Sequence, residues 1–185
     1  MITAAQLKSL GPVSDRETEG LKKRFARLRA ERGAFFLTKS EFDEVLRWKL
    51  RGQIGRQRSR RAGNTDELIR AVTGLALSLC HEDKDYELEL RLGILCSLRG
   101  VEVPVASAIL ALVSPEEYAV IDFRGWRQIF GEERTSFSIS DYKRYLAKIR
   151  ELARELGWQP QEVDLAIWEY DVEAVREPSP RDVAP

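Results

Sequence analysis

An all-α fold, a compact single-domain helical bundle, is predicted for this chain by three observations. Apolar residues recur at helical intervals along nearly the whole length, cap-forming residues bracket those runs, and the one alternating stretch, residues 116–122, has no second strand to pair with. With 185 residues, 43% of them hydrophobic, the chain is long enough for one core that buries roughly 70% of the unfolded surface. The expected organisation is a helical domain over residues 1–177 and a proline-bearing flexible tail over residues 178–185.

The elements follow in order. Ser14 and Glu17 have the spacing of a capping box and open a charged helix carrying Leu21, Phe25 and Leu28, which stops near Gly33. Thr38 and Glu41 repeat the box, so a second helix starts at Thr38 or Ser40, with Phe42, Val45, Leu46 and Lys49 along one side. Residues 52–63 carry little apolar content and a glycine at each end, which predicts a loop or a short helix. Asn64 or Thr65 then caps a helix reaching about Cys80, in which Leu68, Ile69, Val72, Leu75, Ala76 and Leu79 make a wide buried face.

Asp83 begins the next helix, with Leu88, Leu92, Leu95 and Cys96 on one side, and Gly100 ends it where a left-handed conformation is needed. Pro104 suits the first turn of the following helix because its missing donor is unused there. That helix is apolar and built of small residues, so a central, closely packed position is expected. An extended connection after Pro115 leads to Asp122, which heads a short helix through Trp126 and Ile129. Ser140 caps a long helix carrying Tyr145, Leu146, Ile149, Leu152 and Leu156, closed by Gly157, and Pro160 opens a last one with Val163, Ile167, Trp168 and Tyr170.

Thirty basic and thirty acidic side chains cancel, so the local distribution carries the information. Between Val45 and Thr65 stand Arg47, Lys49, Arg51, Arg56, Arg58, Arg60 and Arg61 with no acid among them. The segment is either a solvated loop or a track for a nucleic-acid backbone. No apolar run approaches the roughly 20 residues that cross a bilayer, and the first residues lack a basic stretch followed by an apolar one. Cys80 and Cys96 are too few to staple the fold or to complete a four-ligand zinc site, and they suit a reducing compartment. A cytoplasmic protein without metal or cofactor is expected.

Residues 98–124, LRGVEVPVASAILALVSPEEYAVIDFR, carry a resemblance. They resemble the helix-hairpin-helix DNA glycosylase superfamily: Leu98, Gly100, Val101, Val105 and Ala106 match its hairpin pattern, and Asp122 falls where that family keeps a catalytic aspartate. From Thr65 to the segment DLAIWEYD the chain looks like compact proteins grouped with the 8-oxoguanine glycosylase fold. The resemblance implies DNA as partner, as a duplex with one nucleotide flipped out, gripped through backbone amides at Gly100, Val101, Val103, Val105 and Ala106 and through the arginine segment. It further implies hydrolysis of the N-glycosidic bond of a damaged or modified base, with Asp122 stabilising charge on the sugar or activating water. Pro104 stands where bifunctional relatives carry a lysine, so lyase chemistry by that route is excluded. Glu102 replaces the second hairpin glycine and sets a negative charge where a phosphate should lie, and the four cysteines of an iron-sulfur cluster are absent.

Each feature also has a plainer use. Asp122 is suited to cap the helix through Trp126, and the turn at Gly100 to join two helices. Trp48, Trp126, Trp158 and Trp168 lie on apolar helical faces and fit core packing better than base stacking. His81 lacks an acid partner, and the two cysteines fit buried small hydrophobes. Two alternatives to a base-excising enzyme therefore stand: a non-catalytic nucleic-acid-binding protein, and a helical module whose arginine segment meets an acidic protein.

Overall fold

A computed structural model describes residues 1–175, with the side chains at positions 52, 56, 57, 174 and 175 outside the description. The tail expected over residues 178–185 lies outside the described residues, as does the side chain of Arg56. Within them the chain is all-helical: α1 (Ala4–Leu10), α2 (Arg16–Glu31), α3 (Lys39–Leu50), a 3-10 stretch (Arg51–Gln57), α4 (Arg58–Arg61), α5 (Asp66–Ser78), α6 (Lys84–Cys96), α7 (Val103–Val113), α8 (Phe123–Phe130), α9 (Ile139–Leu156) and α10 (Pro160–Val175). None of the described helices is long and apolar enough to cross a membrane.

The centre is α7, buried along all of its length except Pro104. Ala106, Ser107, Ala108 and Ala111 let α2, α3 and α6 approach it closely, as its small-residue composition predicts. Around it α10 packs on α1, α8 and α9, and α5 on α6 and α3. The buried apolar side chains form one cluster, running from Ile2 to Ile167.

Several boundaries are set by the caps that the sequence displays. Thr38 and Glu41 make the reciprocal capping box, Thr65 caps α5, Asp83 caps α6, and Gly157 closes α9 in the left-handed conformation. Two other caps differ from expectation. Asp15, not Ser14, caps α2, because a carboxylate both accepts from the Thr18 amide at 2.8 Å and takes the Thr18 hydroxyl. Ser138, not Ser140, caps α9, since Asp141 three residues on completes the box with it. The short α1, capped by Thr3, has no counterpart in the sequence reading. Seven residues are too few to display a period, and α1 is held by docking, with Leu7 fully buried and the Ile2 amide donating to the Gln128 carbonyl at 2.8 Å.

The wide buried face expected of α5 is narrower than its composition suggests. Ile69, Thr73 and Ala76 are buried, while Leu68 and Leu75 are 43% and 58% exposed. Thr73 takes an interior place because its hydroxyl is satisfied twice, accepting from the Leu37 amide and donating to the Ile69 carbonyl.

Candidate functional site

Among the described residues the extended stretch before Asp122 has no sheet partner, so its backbone groups must be satisfied by something else. Three side chains from three helices do this on successive residues. Tyr142 of α9 donates to the Ala119 carbonyl at 2.9 Å, the Val120 amide donates to Asp164 of α10 at 3.2 Å, and the Ile121 amide donates to Ser107 of α7 at 3.2 Å. All three of those side chains belong to buried residues. The peptide pegged in this way delivers Asp122 to a fixed position at the start of α8.

Of its two sequence readings, Asp122 shows the capping one. Oδ1 accepts from the amides of Arg124 and Gly125, both at 3.0 Å, which is the capping role. Oδ2 faces Lys49 of α3, whose Nζ lies 3.4 Å away and also reaches the Ile121 carbonyl at 3.3 Å. The Asp122 side chain is 23% exposed, so the carboxylate is neither sealed against its own backbone nor open to bulk water.

Two adjoining cavities meet at this carboxylate. An inner one of about 320 Å³ runs between α3 and α10 and is walled by Trp48, Lys49, Arg51, Asp122, Asp164 and Trp168 among others. An outer one of about 760 Å³ is lined by Gly100, Glu102, Pro104, Phe123 and Arg61, and shares Lys49, Arg51, Asp122 and Trp168 with the inner one. A third hollow, holding Lys39, Arg47, Arg58 and Arg61, lies along the arginine segment. Asn64, almost fully buried, ties that segment to the turn after α6 by a two-way pair with the Arg99 backbone, at 2.9 and 3.1 Å.

The candidate residues take different places. Arg47, Arg51, Arg58 and Arg60 are exposed; Lys49 turns inward to Asp122; Arg61 is buried and donates to the Ile54 carbonyl. In the turn, Gly100 has φ +71°, in the region that favours glycine. Val101, Val103, Val105 and Ala106 direct their side chains into the core, and the amides of Val105 and Ala106 are bonded to the Glu102 carbonyl. Pro104 occupies the first turn of α7, and the exposed Glu102 makes no side-chain cap bond.

Three features of the site are not in the sequence reading. Trp168 lies in the cleft, with the Arg51 guanidinium 5.2 Å and that of Arg124 5.9 Å from its ring. Trp126 is fully buried and Trp48 and Trp158 pack against the core, as expected, yet Trp48 also walls the inner cavity. Arg51 has φ +41°, alone among the described non-glycine residues in being positive, which sets strain at the mouth of the cleft.

Asp164 is the third feature. Its Oδ1 accepts from the Tyr145 hydroxyl at 2.9 Å, and burial followed by the charge of Asp122 pushes its carboxyl up to about 7, against Lys49, Tyr145 and the Val120 amide. The only hint in sequence is an acid flanked by Val163 and Leu165. A carboxyl raised from an ordinary value of about 4 holds its proton more tightly folded than unfolded. Its stabilising contribution is complete below about pH 4 and is lost as pH rises through about 7. The melting temperature is therefore expected to fall between about pH 4 and 7 at constant ionic strength, and the Asp164→Asn variant to show a flatter profile. Parallel profiles for the two proteins would contradict this.

Burial, then Glu102, pushes the Cys96 thiol up to about 11, which suits a packed side chain rather than a nucleophile. Among the described residues no group of three His, Cys, Asp or Glu side chains is placed to hold a metal ion. No protein-family model, curated protein or solved structure matches the chain.

Proposed function

We propose that the chain binds duplex DNA through its exposed arginines and removes a damaged or modified base by hydrolysis, with Asp122 as the acting carboxylate. The observation that carries this reading is the position of Asp122: one oxygen caps α8, and the other faces the junction of two cavities beside an arginine-bearing face. A flipped base enters the inner cavity, while the sugar stays at the junction and the phosphates lie along the arginines. The bond from C1′ to the base breaks, its electron pair leaving with the base, and positive charge grows on the sugar beside Asp122. Water bonds to C1′ and gives its proton to the carboxylate. With Pro104 in the turn, the product is an intact abasic strand.

Four exposed arginines, Arg47, Arg51, Arg58 and Arg60, set an electrostatic expectation. If each neutralises one phosphate, log affinity falls with log salt with a slope near −3.6, and each arginine replaced by alanine lowers the slope by about 0.9. Fluorescence anisotropy across salt concentrations measures it, and a flat response removes the arginines from the interface.

The experiment for the whole reading is incubation with duplexes carrying 8-oxoguanine, uracil, hypoxanthine or an alkylated base, then alkali. Breaks at the lesion that appear only after alkali are the expected result. One observation favours a second reading, a DNA-binding protein without excision. Lys49 pairs with the very oxygen that chemistry needs, and Glu102 lines the outer cavity. Salt-sensitive binding without abasic sites on any duplex would decide for it.

A further inference from the structure

The third hollow, about 570 Å³ where α3, the 3-10 stretch and α4 meet, joins a charged rim to an apolar floor. Lys39, Arg47, Arg58 and Arg61 bring four cations to its walls against one acid, Asp43, which stands 3.7 Å from the Lys39 amine. Arg47 and Arg58 are exposed, and neither has an ion-pair partner among the described residues. Leu46, Ile54 and Ala62 supply apolar surface to the same hollow. Leu46 belongs to the buried core and Ile54 packs against that core, so the floor is fixed in advance. Arg61, itself buried, turns its guanidinium inward to the Ile54 carbonyl and ties α4 to the 3-10 stretch. At Gly55 the hollow is open, because no atom beyond the adjoining residues stands within 4 Å of where a Cβ would sit.

A duplex backbone draws on the rim alone, because phosphates are held by charge and hydrogen bonds. A peptide with an aliphatic side chain between carboxylates uses both features. The carboxylates meet Arg47 and Arg58, and the side chain leaves water against Leu46, Ile54 and Ala62. We infer that this hollow is a docking site for a short acidic segment of a partner protein, anchored by an aliphatic residue flanked by aspartates or glutamates. Its volume lies in the range of formed ligand sites, about 300–1,000 Å³. Arg47 and Arg58 then serve two polyanionic partners, and the apolar floor tells them apart. The inference goes beyond base excision and does not depend on it.

Fluorescence anisotropy tests the floor directly, with a labelled hexapeptide of four aspartates and two leucines and with its counterpart in which alanines replace the leucines. The leucine peptide is expected to bind at least about tenfold more tightly. Ile54→Ser should cut that preference about fivefold while affinity for plain duplex DNA stays within about twofold. Arg58→Ala should weaken both peptides alike. If Ile54→Ser does not fold, Ala62→Asn, at an exposed position, takes apolar surface from the same hollow and should cut the preference in its place. Equal binding of the two peptides, no binding of either at millimolar concentration, or a leucine preference untouched by these floor substitutions overturns the inference. Equal binding would leave the arginines as a charged track of the kind that nucleic acid uses. Excision assays on the same protein keep the two ideas separate. A leucine preference without release of any base leaves this site standing and removes the glycosylase, while release of a base with equal peptide binding does the reverse.

Discussion

Asp122→Asn is expected to lower single-turnover base excision by about 10²–10⁴ while leaving the melting temperature almost unchanged. The asparagine oxygen still accepts from the amides of Arg124 and Gly125, so the cap on α8 survives. What disappears is the negative charge at the cleft junction. Its pairing with Lys49 is long, at 3.4 Å, and Lys49 keeps the Ile121 carbonyl at 3.3 Å and meets the asparagine side chain in place of the carboxylate, so little stability goes with it. Loss of rate without loss of fold separates chemistry from capping, the two uses that the residue has in sequence. A variant that excises at the wild-type rate removes Asp122 from the reaction.

Asp171→Ala carries the largest expected cost to the fold. Asp171 is fully buried on α10 and gathers three residues of α8: Arg124 at 2.7 Å, Arg127 through Nε at 3.1 Å and Nη2 at 2.8 Å, and Gln128 at 2.8 Å. Removing the carboxylate leaves two guanidiniums facing a void, which costs about 3 kcal/mol. Both arginines are about a quarter exposed and can rehydrate, which keeps the loss at the lower end of the range for broken buried pairs. Urea denaturation measures it. Asp171→Asn, which keeps an acceptor, should lose less. Because this cluster fixes α8 to α10, and Asp122 heads α8, excision by Asp171→Ala should also fall at temperatures where the protein is folded. A change below about 1 kcal/mol would show that the cluster is replaceable by water.

The fold was legible in sequence where a local signal decides the conformation. Thr38 with Glu41, Asp83, Gly157 and the small residues of α7 each act within one turn of helix, and the structure follows them. Errors arose where two local candidates compete. Ser138 and Ser140 both stand at the start of α9, and only the side-chain geometry of Asp141 chooses between them. The exposed Leu68 and Leu75 illustrate a different limit, because a wide apolar stripe does not say how much of it a neighbouring helix will cover.

The site was legible only along the chain, not across it. Asp122 and the arginine segment stand out in sequence by position and charge. The pairing of Asp122 with Lys49 joins residues 73 apart, and the approach of Asp164 to the same cleft depends on α10 and α3 bordering one cavity. Arg61 looks like its neighbours in sequence but is drawn inward to the Ile54 carbonyl. Asp164 and Asp171 leave little trace: α10 also carries Glu162, Glu169 and Glu173, and nothing local marks which of its acids are buried.

The most direct test does not depend on which base is recognised. A duplex carrying a pyrrolidine abasic-site analogue places a cationic ring where positive charge develops on the sugar, and its affinity is compared with that of the unmodified duplex. The account predicts binding at least about 10²-fold tighter, abolished by Asp122→Asn while affinity for plain duplex is kept. Equal affinity for the two duplexes, or tight binding that survives Asp122→Asn, would contradict it.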